Sequence, residues 1–303
     1  MRFQRLFLAM TVSALFLGAC TPSSGSSSAQ KPPVTIGSTN FSEQVLLGEM
    51  YAQVLEANGY TVTRKFNLGN RQIVEPAIEN GEIDMYPEYL ASMLLFVDKN
   101  ATAPTDAPGA QKALQTALTP KNITVLDPAP AIDTNGFVVT KATADKYKLA
   151  KMSDLTPIAN QLTLGAAAEC PQNAFCIPGL QRVYGLTFKD FKPLDPGGSL
   201  TVAAIDSGQV DVGELFTTDA TISIKGYVLL DDDKHLQAAD NVAPVVRNDF
   251  LSKAPADFKT LVNSLTTKLT TAELTDLNKQ VNIDKKEAKD VATVWLKSKG
   301  LLK

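Results

Sequence analysis

The amino-acid sequence predicts a two-lobed α/β protein with a cleft and a hinge between the lobes. Three observations carry this expectation. Strand and helix signals alternate as β-α-β-α-β-α over residues 34–96, which argues a mainly parallel sheet covered by helices. The chain breaks at Asp127-Pro128-Ala129-Pro130, and a second alternation begins at Phe137. The last sixty or so residues read as helix. A length of 303 residues suits two lobes of about 100–150 residues each.

The elements follow in order. Val34-Thr35-Ile36-Gly37 reads as a short buried strand. Ser42-Glu43 opens a helix that runs to the stop signal Asn58-Gly59. Tyr60, Val62, Arg64 and Phe66 alternate with polar residues, as a strand does. Leu68-Gly69-Asn70-Arg71 turns into a helix ending at Asn80-Gly81. A strand Ile83–Tyr86 follows, and Pro87 is expected to start a helix through Phe96. Residues 98–109 read as loop, then come a helix (Ala110–Leu118) and a strand (Ile123–Leu126). The second half offers strands at 137–140, 162–166, 188–194, 210–212 and 227–230, with helices at 178–184 and 199–207. Thr270-x-x-Glu273 and Asp284-x-x-Glu287 are capping-box patterns in the helical tail. Leu274, Leu277 and Val281 share one helix face, and Val291, Val294 and Trp295 another; both stripes read as core. Asp127–Asn135 is the candidate first crossover between lobes, and residues 240–245 the candidate return.

The N-terminus is a separate signal. Arg2 and Arg5 precede the apolar run Leu6–Leu17, which is too short to span a bilayer and reads as an export signal. Leu17-Gly18-Ala19-Cys20 resembles a bacterial lipobox, in which Cys20 becomes the lipidated first residue. The Ser- and Gly-rich stretch after it suits a flexible tether. The alternative is a plain signal peptide in which Cys20 is incidental. The expected divisions are therefore 1–19 signal peptide, 20–33 tether, 34–134 plus 243–303 lobe 1, and 135–242 lobe 2.

Composition excludes several classes. A net charge of −3 offers no basic surface for nucleic acid. The single histidine, His235, excludes a multi-His metal site and reads as a hydrogen-bonded structural residue. Asp231-Asp232-Asp233 lacks the spaced ligands of an EF-hand. No metal, cofactor or catalytic residue is expected. In an exported chain Cys170 and Cys176 most simply form a local disulfide, because a metal pair lacks further ligands and C-x5-C is not a redox C-x-x-C.

Six stretches then carry a resemblance. Gly37-Ser38-Thr39-Asn40-Phe41-Ser42-Glu43-Gln44 is similar to "GSKxFTEQ", and Gly81–Tyr89 (GEIDMYPEY) to "GEIDlYPEYtGT". Pro178-Gly179-Leu180 with Tyr184-Gly185-Leu186 is similar to "PGLxxxYGL". Ser207–Val212 with Thr217-Thr218-Asp219, then Asp232–His235 and Ala243–Arg247, complete the set. In order, they resemble the osmoprotectant (glycine betaine, choline and carnitine type) substrate-binding lipoproteins of ABC transporters. The resemblance covers about residues 34–250. It implies a type II periplasmic binding protein fold with no enzymatic activity. It also implies a monomer lipid-anchored outside the cytoplasmic membrane or in the periplasm. Such a protein hands a quaternary amine to a permease powered by a cytoplasmic ATPase.

The resemblance also implies a site. The family holds the ligand's ammonium in a tyrosine cage and its carboxylate in a basic clamp. A quaternary ammonium has no N–H to donate and is held by aromatic faces, each worth about 0.5–2 kcal/mol. The cage positions carry over to Tyr89, Phe137, Phe216 and, in the last case, Asp240. The neighbouring polar positions are Asn40, Ser92 and Thr217. The clamp positions fall on Thr39 and near Asn173, so both bases are expected to be missing. Such a site suits choline or a bulkier cationic betaine such as ergothioneine; equally, other donors replace the clamp and the ligand is an ordinary betaine. A secreted enzyme on the same fold, or a surface lipoprotein without a small ligand, are the competing classes.

Overall fold

Two five-stranded sheets organise the chain. The computed structural model describes residues 31–303; the signal-peptide and lipid-anchor expectations at 1–19 and Cys20 lie outside the described residues. The first sheet contains β1 (Val34–Gly37), β2 (Val62–Lys65), β3 (Met85–Tyr89), β4 (Ile123–Val125) and β10 (Val242–Arg247), in the order β2-β1-β3-β10-β4. The second contains β5 (Asn135–Val139), β6 (Thr163–Ala167), β7 (Asp190–Leu194), β8 (Val212–Phe216) and β9 (Val228–Leu229), in the order β7-β6-β8-β5-β9.

The parallel expectation holds only in part. β1 pairs in parallel with β2 and β3, but β10 runs antiparallel between β3 and β4. In the second sheet β6 is parallel to β7 and β8, while β5 is antiparallel to β8 and β9. The chain leaves the first sheet after β4 and returns as β10. The two crossing segments lie side by side: Ile132 bridges Asn241, and the Asp133 N–H donates to the Asp240 carbonyl at 3.2 Å. Asn241 Nδ2 also donates to the Ala129 carbonyl at 2.9 Å. Two crossing segments that join the sheets side by side are where a hinge motion between them would be absorbed.

Helices cover both faces of the first sheet. On one face α1 (Ser42–Ala57) packs with the tail helices α7 (Asp257–Thr266), α8 (Thr271–Asn282) and α9 (Ala288–Ser298). On the other lie α2 (Arg71–Glu79), α3 (Leu90–Val97) and α4 (Ala107–Leu118). The second sheet carries α5 (Lys141–Tyr147), which sequence signals did not reveal, and α6 (Ser199–Asp206). The tail shows why its helices form where they do. Thr270 and Glu273 make the full capping box at the start of α8. Trp295 is buried in the core against α1, as its position on the stripe requires.

Several local expectations are corrected. Pro87 belongs to β3, not to a helix start: it stands opposite Pro244, so two residues without N–H share one rung of the ladder and α3 begins at Leu90. The strand expected at 210–212 runs Val212–Phe216 instead. Asp284 does not cap α9, whose N-cap is Glu287. Val294 faces solvent at 67% exposure, because it sits one residue ahead of Trp295 and so off the core face. His235 is exposed in a turn at φ 54° and has no side-chain hydrogen bond among the described residues. The acids before it do the structural work there: Asp232 accepts from the Tyr184 hydroxyl (2.5 Å) and from the Leu236 and Gln237 N–H groups.

Candidate functional site

A cavity opens between the two sheets and against both crossing segments. Its lining comes from the β1–α1 loop, the start of α2, the β3–α3 junction, the loop after β6, and β8. Seven of the nine residues expected from sequence meet there: Thr39, Asn40, Tyr89, Ser92, Asn173, Phe216 and Asp240.

Phe137 and Thr217 do not line it. Phe137 is directly opposite Glu214 in the β5–β8 register and faces the right side of its sheet. It is buried in the core with Phe175 and the cysteines Cys170 and Cys176, so the loop after β6 covers it. Thr217 turns its hydroxyl to Asp133 (3.2 Å) and takes a bond from the Thr134 N–H (3.0 Å), which ties β8 to the crossing segment.

The aromatic wall is continuous across the cleft. Tyr89 stacks on Phe41 with centroids 6.2 Å apart, and Phe41 on Phe216 at 5.3 Å. Tyr89 and Phe41 come from the first-sheet side and Phe216 from the second. All three rings line the cavity, and aromatic faces attract a diffuse cation. Phe41 was missed as a site residue although it stands inside the Gly37–Gln44 motif.

Asp240 is not a free carboxylate. It accepts from the Ser92 N–H at 2.9 Å and the Ser92 hydroxyl at 2.5 Å, so the two expected site residues bind each other and pin α3 to the return crossing. Burial raises its pKa to about 6, opposed by the Ser92 bonds.

The expectation of a wall without a base is corrected by Arg71, the sole basic residue among those lining the cavity. It starts α2, directly after Asn70, whose side chain caps that helix. Buried Glu88 holds it from two sides, Nε to Oε1 at 2.5 Å and Nη2 to Oε2 at 2.9 Å. Nη1 makes no hydrogen bond among the described residues. Among the described residues, two further polar groups are buried at the wall without hydrogen-bond partners: the Thr39 hydroxyl and the Gln44 side-chain amide. An unmade bond of this kind costs about 1–3 kcal/mol, which a ligand that makes it returns.

Behind the wall lies a buried carboxylate junction. Glu43 accepts from the Tyr89 hydroxyl (2.5 Å), the Thr218 hydroxyl (2.8 Å) and Asn278 Nδ2 (2.5 Å). Burial raises its pKa, against those hydrogen bonds. Burial and then the charge of Glu43 hold Asp133 well above the ordinary carboxylate range. On the far side Cys170 and Cys176 are joined, Cα–Cα 5.2 Å, closing the loop that carries Gln172, Asn173 and Ala174 into the lining.

Known proteins place this geometry. The family model for the substrate binding domain of ABC-type glycine betaine transport system matches residues 32–298. The chain is 31% identical over 281 residues to the glycine betaine-binding protein YehZ of Escherichia coli strain K12, covering 89% of this chain and 92% of that one. It is 26% identical over 274 residues to the ergothioneine transport permease/ergothioneine binding protein EgtU of Helicobacter pylori strain G27, 90% of this chain but only 48% of that longer protein. A crystal structure of a glycine betaine/carnitine/choline ABC transporter superposes with a TM-score of 0.70 at 28% identity, covering 88% of this chain and 99% of that one. The chain belongs to the family of substrate-binding domains of ABC-type glycine betaine transport systems.

Proposed function

We propose that this protein is the extracytoplasmic solute-binding component of an ABC importer for a quaternary ammonium compound. It captures the ligand between lobes 34–134 plus 243–303 and 135–242, then delivers it to the permease. Lipid on Cys20 keeps the monomer at the membrane. The protein performs no chemistry on the ligand.

The observation that carries this reading is the Tyr89–Phe41–Phe216 wall. Its rings come from both sides of the cleft, so a cation against them favours closure. The ligand's other end has partners as well. Arg71 Nη1, the Thr39 hydroxyl and the Gln44 amide stand where a carboxylate is wanted, and charge-assisted bonds of that kind are the stronger ones. Glycine betaine, carnitine and ergothioneine all carry that carboxylate. The match to EgtU favours keeping the bulkier ergothioneine as a second reading.

A thermal-shift and calorimetry panel of choline, glycine betaine, carnitine, proline betaine and ergothioneine tests the proposal. Ligand at 100 times its Kd adds about 2.7 kcal/mol of stability. No response to any of the five removes the reading.

A further inference from the structure

One carboxylate in the cavity has no explanation in the aromatic wall or in the groups facing a ligand carboxylate. Glu214 lies on β8 two residues before Phe216, so both side chains leave the same face of the strand, about 6.6 Å apart along it. It is 4% exposed. Its Oε2 takes one long bond, 3.3 Å from the Ala167 N–H, and its Oε1 takes none among the described residues. One of its oxygens lies within 4.8 Å of the Cys170 and Cys176 sulfurs, and these cysteines are bonded to each other and so offer no thiolate to a metal. Among the described residues no cation is paired with it: Arg71 is engaged by Glu88, and the charged neighbour of Glu214 is another acid, Glu169. A buried carboxylate aimed into a ligand cavity with so few bonds is an unmet acceptor.

We propose that Glu214 is the specificity-determining acceptor of this site, and that the ligand carries an N–H-bearing group, beyond its quaternary ammonium, which donates to it. This rests on the quaternary-amine reading above and narrows it. A trimethylammonium held at the Phe41–Phe216 end leaves the rest of a small betaine short of Glu214. A side group such as an imidazole reaches it. Glycine betaine has no hydrogen-bond donor to offer there, so the site keeps its buried carboxylate unpaired when it binds.

The test uses isothermal titration with three probes: histidine betaine, phenylalanine betaine (a ring of similar shape without N–H) and glycine betaine. The wild type is expected to bind histidine betaine at least about tenfold tighter than phenylalanine betaine, as befits a site built around a hydrogen bond. In Glu214→Leu that ratio falls to near one. Glu214→Gln, which keeps shape and one acceptor oxygen, retains part of it. Cooperative thermal melts of both variants report an intact fold, and glycine betaine titrations beside them show any general change at the site. A wild-type ratio near one, or an unchanged ratio in both variants, overturns the proposal and leaves the quaternary-amine reading standing. Wild-type protein that binds none of the three, nor any member of the panel above, overturns both.

Discussion

The Tyr89 hydroxyl donates to Glu43 at 2.5 Å, and the same carboxylate accepts from Thr218 beside β8 and from Asn278 in α8. A ring of the aromatic wall is therefore fixed by a group that also joins the two sides of the cleft. Ring and hydroxyl have separable roles. Tyr89→Phe keeps the face and is expected to hold ligand affinity within a few-fold. It lowers stability by about 1–3 kcal/mol, because Glu43 loses a donor in a buried place. Tyr89→Ala is expected to abolish measurable binding. Equal affinities for the two variants, read by calorimetry, would remove the ring from the site.

Arg71 and Glu88 act as a unit. Removing one alone leaves a buried charge uncompensated, which costs about 3–5 kcal/mol and obscures any effect on binding. The double variant Arg71→Gln with Glu88→Gln avoids that. It is expected to weaken glycine betaine at least about tenfold while leaving choline, which has no carboxylate, nearly unchanged. A parallel loss for both ligands would show that Arg71 supports the wall instead of binding a carboxylate.

Stability should depend on pH in an unusual direction. Burial, with Glu169 adding, raises Glu214 to about 7, and burial raises Asp240 to about 6. The folded protein thus holds protons that the unfolded chain has released above about pH 4. Where the native state binds more protons, stability falls as pH rises. Unliganded protein is expected to lose stability between about pH 4.5 and 7, with each of these fully buried groups contributing on the order of 2–3 kcal/mol. Glu214→Gln should flatten the upper part of that profile. Melting temperatures across pH 4.5–8 measure both, and a profile that rises monotonically to pH 7 would contradict the assignment.

The Cys170–Cys176 bond closes the loop that supplies Asn173 and covers Phe137. Closing a loop this short is worth about 2 kcal/mol in the chain-entropy account. The double variant Cys170→Ala with Cys176→Ala is expected to melt lower and to bind several-fold more weakly. Thiol titration of the unfolded protein should find neither cysteine free.

Much of the architecture was legible because it is local. Helix stops such as Asn58-Gly59 and the capping box at Thr270 act within a few residues and form where their chemistry says. Pro87 misled because its usual place at a helix start was overridden by a partner 157 positions away, Pro244, which no local signal announces. The site divides the same way. Tyr89, Phe216 and Thr39 line the cavity from positions the motifs marked. Phe137 was marked as a cage position by the resemblance, but its cover by the loop of Phe175 depends on tertiary packing. Asp240 looked like a free acid because its partner, Ser92, is 148 residues away. Arg71 and Gln44 were missed because a base at a helix start and an amide inside a helix are ordinary in sequence. Glu214 had one available signal, its alternation with Phe216 on one strand.

The claim at the centre is that aromatic faces hold a permanent cation. It is tested most directly by calorimetric comparison of the tightest-binding quaternary amine with its uncharged tert-butyl isostere, which has the same shape and apolar surface. Three ring contacts worth about 0.5–2 kcal/mol each place the isostere at least about tenfold weaker. Equal affinities for the two would contradict the account.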